Sequence, residues 1–190
     1  NVLNTKTGVF RVYTAKAGDP TTLDRSSSYA IFKDREALIW VTSISGRNLY
    51  NREEDNFTRI RDLGSWIMDI DQDADGNIWF SSQGNGLFKY DPDKQEWTNY
   101  VHSSAPGALI NDQVNCVLID GNGEMWIGTM NGLCKYNAKE DQFELIPLDI
   151  PSRNICAIIE DQRVLWLTTT KGLVRYVPGE SCQVFTRSDG

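Results

Sequence analysis

The sequence predicts an all-β fold of the β-propeller class, because one short sheet-forming pattern recurs four times along the chain. A tryptophan marks each copy and a tyrosine follows it, at Trp40, Trp79, Trp126 and Trp166 and at Tyr50, Tyr90, Tyr136 and Tyr176. Both landmarks recur at intervals of 39 to 47 residues. A period of about 40 to 45 residues with four strands per copy is typical of propeller blades.

The third copy, Ile119 to Phe143, shows why each repeat should form strands. Asp120 to Gly123 is predicted to be a turn, because glycine and asparagine adopt positive φ at little cost. Met125 to Ile127 is a β-favouring run, and Leu133 to Tyr136 alternates apolar and polar residues. Each blade is therefore expected to contain an inner strand, a tryptophan strand, a tyrosine strand and an outer strand.

Four full blades are predicted at residues 25–62, 63–101, 110–148 and 152–187, after a half blade and linker over residues 1–24. The first residues resemble the second half of a repeat, so we expect the chain to be part of a longer protein. Propellers close with 4 to 8 blades, and we expect these four and a half blades to be part of a ring of about seven. Each end would then present an apolar blade face that missing blades or a second copy of the chain must cover.

Composition and charge exclude several classes of protein. The 190 residues are 40% hydrophobic, and the net charge is −7 without a cluster of Lys and Arg. No nucleic-acid partner is expected, because neutralising phosphates requires such a cluster. No apolar run reaches the roughly 18 residues of a membrane-spanning helix. The four cysteines lack C-x-x-C spacing, and Cys116, Cys134 and Cys156 are expected to be buried core residues.

The repeat tryptophans occupy one strand position, so we expect them to pack between blades rather than to bind a ligand. Trp66 differs, because no other copy has an aromatic residue at the matching position. It stands where the chain enters the inner strand of the second predicted blade, at the rim of one face. Its indole could stack on a sugar ring there, or it could pack against the protein.

Two kinds of loop should share one face of the blades: those that enter inner strands, and those between tryptophan and tyrosine strands. Amides, cations and aromatic rings are the groups that bind sugar hydroxyls and acidic substituents. Val101 to Asp112 is the longest connection between full blades, and long connections on a rigid scaffold are often functional. The candidate ligand-binding residues on this face are Tyr29, Arg47, Trp66, Gln83, Asn85, His102, Asn111, Asp112, Arg153 and Lys171.

One acidic segment fits the start of a calcium-binding loop. Asp71, Asp73 and Asp75 precede Gly76, but Ser82 stands where such a loop needs a glutamate. The segment also fits an ordinary solvated turn before the tryptophan strand. Both interpretations stay open, and no other cofactor is expected.

No catalytic residues are predicted. His102 is the only histidine, so a catalytic triad with histidine or a cluster of histidine ligands has no basis. The alternative is a propeller lyase or glycosidase that works with paired carboxylates. Asp62 and Asp112 are available as loop acids, but no spacing singles out a pair.

The third copy carries the repeat motif most completely, with Asp120, Gly123, W-I-G-T at Trp126 to Thr129 and G-L-x-x-Y at Gly132 to Tyr136. This motif resembles the two-component regulator propeller repeat of large hybrid two-component sensors in Bacteroides and other gut Bacteroidetes. The second copy departs from it, because Ser81 and Ser82 replace the Gly-Thr pair. Four copies extend the resemblance over essentially the whole chain.

The resemblance implies a periplasmic sensor region of an inner-membrane protein, with kinase and regulator domains elsewhere on the full chain. Members of this family recognise oligosaccharides released from glycans and switch on genes for polysaccharide utilisation. The resemblance therefore implies that this segment senses an oligosaccharide, is not itself an enzyme, and belongs to a homodimeric sensor. A propeller used only as a scaffold for protein interaction or dimerisation is the alternative, and a propeller lyase or glycosidase is the further one.

Overall fold

The computed structural model describes residues 1–25, 27–43, 46–60 and 66–187. Within these residues, eighteen strands form four four-stranded sheets and one two-stranded sheet. The predicted fold class, a partial β-propeller of four blades and a half blade, is therefore confirmed. The chain separates into two compact units, Asn1–Ile67 and Met68–Gly190, and the boundary between them falls inside one strand.

Unit 1 contains the half blade and the first blade. In the half blade, Leu3 pairs with Phe10 in an antiparallel register. The half blade is formed by β1 (Val2–Leu3) and β2 (Phe10–Arg11), and the first blade by β3 (Ser28–Lys33), β4 (Ile39–Ser43), β5 (Arg47–Asn51) and β6 (Asn56–Ile60). The predicted junction between the first two full blades, at residues 62 and 63, lies outside the described residues.

The other three blades follow in chain order, and in each sheet consecutive strands are neighbours. The second blade contains β7 (Trp66–Gln72), β8 (Ile78–Gln83), β9 (Leu87–Asp91) and β10 (Glu96–Tyr100). The third blade contains β11 (Val114–Ile119), β12 (Met125–Thr129), β13 (Gly132–Asn137) and β14 (Gln142–Ile146). The fourth blade contains β15 (Ile155–Asp161), β16 (Val164–Thr169), β17 (Gly172–Tyr176) and β18 (Cys182–Phe185).

Two hydrophobic cores lie inside unit 2, each between neighbouring sheets. The first joins the second and third blades and includes Trp79 and Val117. The second joins the third and fourth blades and includes Trp126, Ile155 and Leu165. The third sheet lies between these two cores and buries apolar side chains on both faces, so its inner strand β11 loses the alternation of a half-exposed strand.

In three blades the repeat tryptophan is buried, and its indole nitrogen donates a hydrogen bond to an aspartate six positions earlier. The pairs and their Nε1–Oδ2 distances are Trp40–Asp34 at 2.8 Å, Trp79–Asp73 at 2.7 Å and Trp126–Asp120 at 2.9 Å. The expected core role of these three rings is confirmed by exposures of 3%, 0% and 1%. In the fourth blade Glu160 stands at the aspartate position and binds the backbone of Gly121 and Arg163 instead, and Trp166 is half-buried.

A second repeated feature joins a blade to the segment before it, inside each unit, through one aspartate and two tyrosines. In unit 2, Asp141 Oδ1 accepts hydrogen bonds from the hydroxyls of Tyr136 at 2.5 Å and Tyr100 at 2.7 Å. In unit 1, Asp55 accepts the equivalent bonds from Tyr50 and Tyr13. These hydrogen bonds hold the pKa of Asp141 below its ordinary value, and burial raises the pKa of Tyr100 to about 12. The phenols therefore stay protonated and donate at neutral pH.

Of the three cysteines expected in the core, Cys116 and Cys134 are buried and Cys156 is exposed. The expectation for Cys156 is wrong because β15 has a register irregularity between Ile155 and Ala157. Cys156 is the extra residue of this bulge, which has no partner on β16. A bulge changes the direction in which the side chain of the extra residue points. All four cysteines are free thiols.

Candidate functional site

The long connection between the second and third blades is held against the turn between β8 and β9. The backbone nitrogens of Gly84 and Gly86 both donate to the carbonyl oxygen of Asp112, at 3.0 and 2.9 Å. The Asp112 side chain in turn accepts a hydrogen bond from the backbone nitrogen of His102 at 2.6 Å. His102 Nδ1 lies 2.9 Å from the carbonyl oxygen of Leu109, whose own side chain is buried in the core. The connection is therefore a fixed part of the surface.

Amide side chains collect where this connection meets the two neighbouring turns. Gln83 and Gln113 form an isolated antiparallel bridge, and both are exposed. Asn111 Oδ1 accepts a hydrogen bond from the backbone of Gln113, whose carbonyl oxygen accepts another from Met130 in the β12–β13 turn. The structure thus brings together five predicted residues of unit 2: Gln83, Asn85, His102, Asn111 and Asp112.

Arg153 and Lys171 lie together at the matching loops of the fourth blade. The hydroxyls of Ser152 and Thr170 are 2.7 Å apart, which ties the connection into β15 to the β16–β17 turn. Arg153 and Lys171 follow these two residues in sequence, and both are exposed. Arg153 also lines a cavity of about 370 Å³ between the third blade and the connection to the fourth.

In unit 1, Tyr29 and Trp66 form an exposed aromatic pair. Their ring centroids are 5.9 Å apart with an interplanar angle of 17°, so the rings are stacked. Their exposures are 44% and 45%, which are high for large aromatic side chains. Trp66 directly precedes the fully buried Ile67, whose carbonyl oxygen accepts a hydrogen bond from Thr42.

Arg47 is not on the loop face where the sequence predicts it. It is completely buried in β5, where it pairs with Thr42 of β4 and Ile60 of β6. The strand begins one residue earlier than expected, so Arg47 belongs to the sheet and its side chain is buried there. Tyr29, Arg47 and Trp66 belong to unit 1, and the other seven predicted residues belong to unit 2.

The acidic segment considered for calcium uses its carboxylates in hydrogen bonds. Asp73 Oδ1 accepts from the backbone nitrogens of Asp75 and Asn77, and Oδ2 binds Trp79. Asp71 Oδ2 accepts from the backbone nitrogen of Ile119 at 2.6 Å. Over residues 1–25, 27–43, 46–60 and 66–187, no three His, Cys, Asp or Glu side chains converge to hold a metal ion.

Asp69, on the inner strand β7, is an acid that the sequence analysis did not single out. Its Oδ2 accepts a hydrogen bond from the backbone nitrogen of Val117 at 3.2 Å, which connects β7 to β11. Burial, with a smaller contribution from the nearby Asp71 carboxylate, raises the pKa of Asp69 to about 6 despite that hydrogen bond. A carboxylate with a raised pKa is less stable in the folded chain than in water.

We expect Asp69→Asn to remove part of the pH dependence of stability. The folded chain keeps a proton on Asp69 at pH values where the unfolded chain, with a pKa of 3.8, has released it. The stability from this group is therefore present below about pH 4 and is lost as pH rises through about 6. At neutral pH the variant should be more stable by on the order of 1 kcal/mol, a value discounted for partial exposure. Hydrogen exchange of the β11 amides at acidic and neutral pH measures this, and an unchanged pH slope would contradict it.

The floor of the cavity at the third blade was missed by the sequence analysis. Leu145 to Ile150, with the sequence L-I-P-L-D-I, begins in the outer strand β14, continues beyond its end and lines the cavity. The apolar residues that continue beyond the strand end could have indicated this floor, because connections between blades are usually polar. Asp62, the loop acid considered for catalysis, lies outside the described residues.

The described part of the chain contains no helix of the length and apolarity needed to cross a membrane. No curated protein matches the chain. Residues 108–131, which contain β11, β12 and the end of the connection before them, match the family described as two-component regulator propeller.

Several solved structures share the fold. The extracellular domain of BT3049 from B. thetaiotaomicron, named as a hybrid two-component system, has a TM-score of 0.81 at 24% identity, covering 99% of this chain and 25% of that one. The extracellular domain of BT4673 from the same organism, also named as a hybrid two-component system, has a TM-score of 0.58 at 19% identity, covering 92% and 28%. Virginiamycin B lyase from Staphylococcus aureus has a TM-score of 0.68 at 11% identity, covering 86% and 57%.

The chain spans about a quarter of the length of the two B. thetaiotaomicron extracellular domains. At these identities the likeness establishes a common fold, and the family match establishes the repeat. The chain thus contains a two-component regulator propeller repeat at residues 108–131, and its propeller fold is one that it shares with the extracellular domains of hybrid two-component systems.

Proposed function

We propose that this chain is part of the periplasmic, ligand-sensing propeller of an inner-membrane hybrid two-component sensor. The sensor detects oligosaccharides derived from glycans and regulates genes for polysaccharide utilisation. The propeller repeat and the fold shared with two extracellular domains support the sensor class. The observation that carries the ligand class is the exposed, stacked pair of Tyr29 and Trp66.

This pair has the properties of a platform for a sugar ring. Stacking on Tyr29 restrains the indole and covers one of its faces, while nearly half of each side chain stays in contact with solvent. The C–H face of a pyranose ring is flat and weakly polar, so it can cover an aromatic ring while its hydroxyls stay hydrated. Burying aromatic surface in this way is favourable, and a rigid ring loses little entropy on binding.

The polar surface of unit 2 supports the same ligand class. Amide groups donate and accept hydrogen bonds at once, which suits sugar hydroxyls. The backbone that carries Gln83 and Gln113 is held by hydrogen bonds to the neighbouring turns. A fixed backbone reduces the entropy that ligand binding would otherwise cost.

In this proposal the segment binds and does not catalyse, and any kinase activity belongs to other domains of the full chain. His102 is the single histidine, and one of its ring nitrogens is engaged with the Leu109 carbonyl. The likeness to virginiamycin B lyase, at 11% identity, concerns the fold alone. Mass spectrometry of oligosaccharides incubated with the complete protein tests this point, because an enzyme would change their masses.

Trp66→Ala tests the proposed function. In the complete protein we expect it to weaken binding of the recognised oligosaccharide at least about tenfold, measured by calorimetry across a glycan panel, because stacking area is lost. Phe10→Ala is the matched control, since it removes another exposed aromatic ring of unit 1. Equal affinities of Trp66→Ala and the wild type for the same glycan would contradict the platform.

A second candidate function is assembly with further blades or with a second copy of the chain, as in a homodimeric sensor. In unit 1, Ile31 is 74% exposed and lines an apolar cavity of about 730 Å³ with Tyr13 and Leu23. In unit 2, Ile159 on β15 is 62% exposed. Apolar surfaces of this kind usually mark contacts with other protein segments. Stable self-association without binding of any glycan would favour this candidate.

A further inference from the structure

We propose that the cavity between the third blade and the connection to the fourth binds an acidic substituent of a sugar, a carboxylate or a sulfate, and that Arg153 pairs with it. This inference rests on the proposed function, because it names the chemical class of the oligosaccharide. It adds a location, a charge and a recognising residue that neither the family match nor the shared fold supplies.

The cavity has a rigid apolar floor. Its volume is about 370 Å³, within the range of small-molecule sites. Leu133 lines it and is completely buried, while Leu148 and Ile150 line it and pack against the core of the third and fourth blades. A floor held by the core keeps its shape when a ligand enters or leaves.

Two polar side chains at the rim have unused hydrogen-bonding capacity. Arg153 is exposed, and its guanidinium makes no hydrogen bond or ion pair with any other described residue. Asn131, from the β12–β13 turn, uses its backbone nitrogen to bind Thr129, and its side-chain amide has no partner within the described chain. A guanidinium forms paired hydrogen bonds to carboxylate and sulfate oxygens, and an amide adds a donor or an acceptor beside it.

The charges around the cavity also favour an anion with hydroxyl groups nearby. Lys171 adjoins the rim through the contact between Ser152 and Thr170, so two cations stand at this end of the fourth blade. Asp149 is the one acid that lines the cavity. The exposed carboxylate of Asp149 can accept hydrogen bonds from sugar hydroxyls, while Arg153 and Lys171 together outweigh its charge.

The arginine is specific to this junction. Two residues after Arg153 comes Ile155, the first fully buried residue of β15, and the matching residue of β11 is Val114. The position that matches Arg153 is therefore Asp112, whose carboxylate already accepts a hydrogen bond from His102. At this repeat position, the connection into the fourth blade therefore has Arg153, which has no partner among the described residues and lines the cavity. The connection into the third blade has Asp112 there, and its carboxylate is hydrogen-bonded.

Arg153→Met tests the inference, with Arg163→Met as a matched control. Both substitutions remove one positive charge from an exposed side chain of the fourth blade. The two arginines lie at opposite ends of β15, about 20 Å apart for a strand of this length. Arg163→Met therefore reproduces the change in net charge without altering the cavity, and circular dichroism verifies that both variants are folded.

The measurement is calorimetry on the complete protein with three probes of equal length: oligogalacturonides, sulfated galacto-oligosaccharides and neutral galacto-oligosaccharides. We expect the wild type to bind one of the two acidic probes, and the probe that binds identifies the substituent as carboxylate or sulfate. Arg153→Met should bind that probe about 10- to 100-fold more weakly. Arg163→Met should stay within about twofold of the wild type, and added salt should weaken binding.

Three results would overturn the inference. Equal affinity of Arg153→Met and the wild type for the acidic probe would remove Arg153 from recognition. Binding of neutral probes alone would overturn this inference and leave the proposed function standing. Binding of no oligosaccharide, from these probes or from the wider glycan panel, would overturn both.

Discussion

Replacing Trp126 with alanine is expected to lower the free energy of unfolding of the third blade by about 3 to 5 kcal/mol. The ring is 1% exposed and lies in the core between the third and fourth blades. Its edge contacts Tyr176 at a centroid distance of 6.3 Å, and Lys135 Nζ lies 5.4 Å from its centroid. The substitution would leave a cavity in this core and would take a hydrogen-bond donor from the buried carboxylate of Asp120.

Trp166→Ala is the matched control, because it removes the same residue type from the same repeat position. Trp166 is half-buried, stacks on Phe185 at 6.1 Å, and has no carboxylate partner among the described residues. We expect this substitution to cost about 1 to 2 kcal/mol, since less surface returns to water and no buried acid loses its donor. Hydrogen exchange of the β12, β13, β16 and β17 amides in the complete protein measures both losses. Equal losses of stability in the two variants would show that neither burial nor the hydrogen bond to the aspartate determines the size of the effect.

Asp141→Ala is expected to destabilise the contact between the second and third blades by about 2 kcal/mol at neutral pH. The carboxylate accepts hydrogen bonds from both Tyr136 and Tyr100, and both bonds are charge-assisted. Without it, the two hydroxyls would lose their shared acceptor at the edge of the core. Asp141 also has a φ of 53°, a conformation in which alanine is strained.

The pH dependence of this effect follows from the direction of the pKa shift. The hydrogen bonds from Tyr136 and then Tyr100 lower the pKa of Asp141 in the folded chain. The stability that the carboxylate contributes is therefore present above its ordinary pKa of 3.8 and is lost as pH falls through the lower folded value. In strong acid, the difference in the free energy of unfolding between Asp141→Ala and the wild type should therefore decrease to the contribution of the backbone strain.

Gln95→Ala separates the backbone effect from the hydrogen bonds. Gln95 occupies the same turn position in the second blade, with a φ of 59°, so alanine is strained there to the same degree. Its substitution should cost about 1 kcal/mol or less, because no tyrosine pair depends on it. Hydrogen exchange of the β10 and β14 amides gives the comparison. If the two alanine variants were equally destabilised, the tyrosine bonds would contribute nothing measurable.

The strands and turns were predictable because their causes are local. The bond between Trp126 and Asp120 spans six positions and lies within one hairpin, so the repeat motif contains both of its partners. The turn between β11 and β12 needs positive φ at Gly123, which glycine adopts at little cost. Such features depend on residues that are close in sequence, and their recurrence in several copies separates them from chance.

The candidate site was predictable only in part. The sequence placed Gln83, His102 and Asp112 on one loop face, and in the structure hydrogen bonds connect the segments that carry them. The burial of Arg47 was not foreseen, because its strand begins one residue earlier than the motif indicates. In a sheet, a shift of one residue moves a side chain to the other face.

By itself, the sequence determined that this protein is a propeller of four-stranded repeats, because period, turn chemistry and strand alternation are properties of short segments. Tertiary structure decided which side chains meet across blades. Asp141 and Tyr100 are 41 positions apart, and the cavity at Arg153 is formed by the third blade together with the connection to the fourth. The direction of each such side chain depends on register and on bulges like the one at Cys156, which the motif does not contain. Contacts of this kind exist only after the sheets have packed, so their partners cannot be inferred from any single repeat.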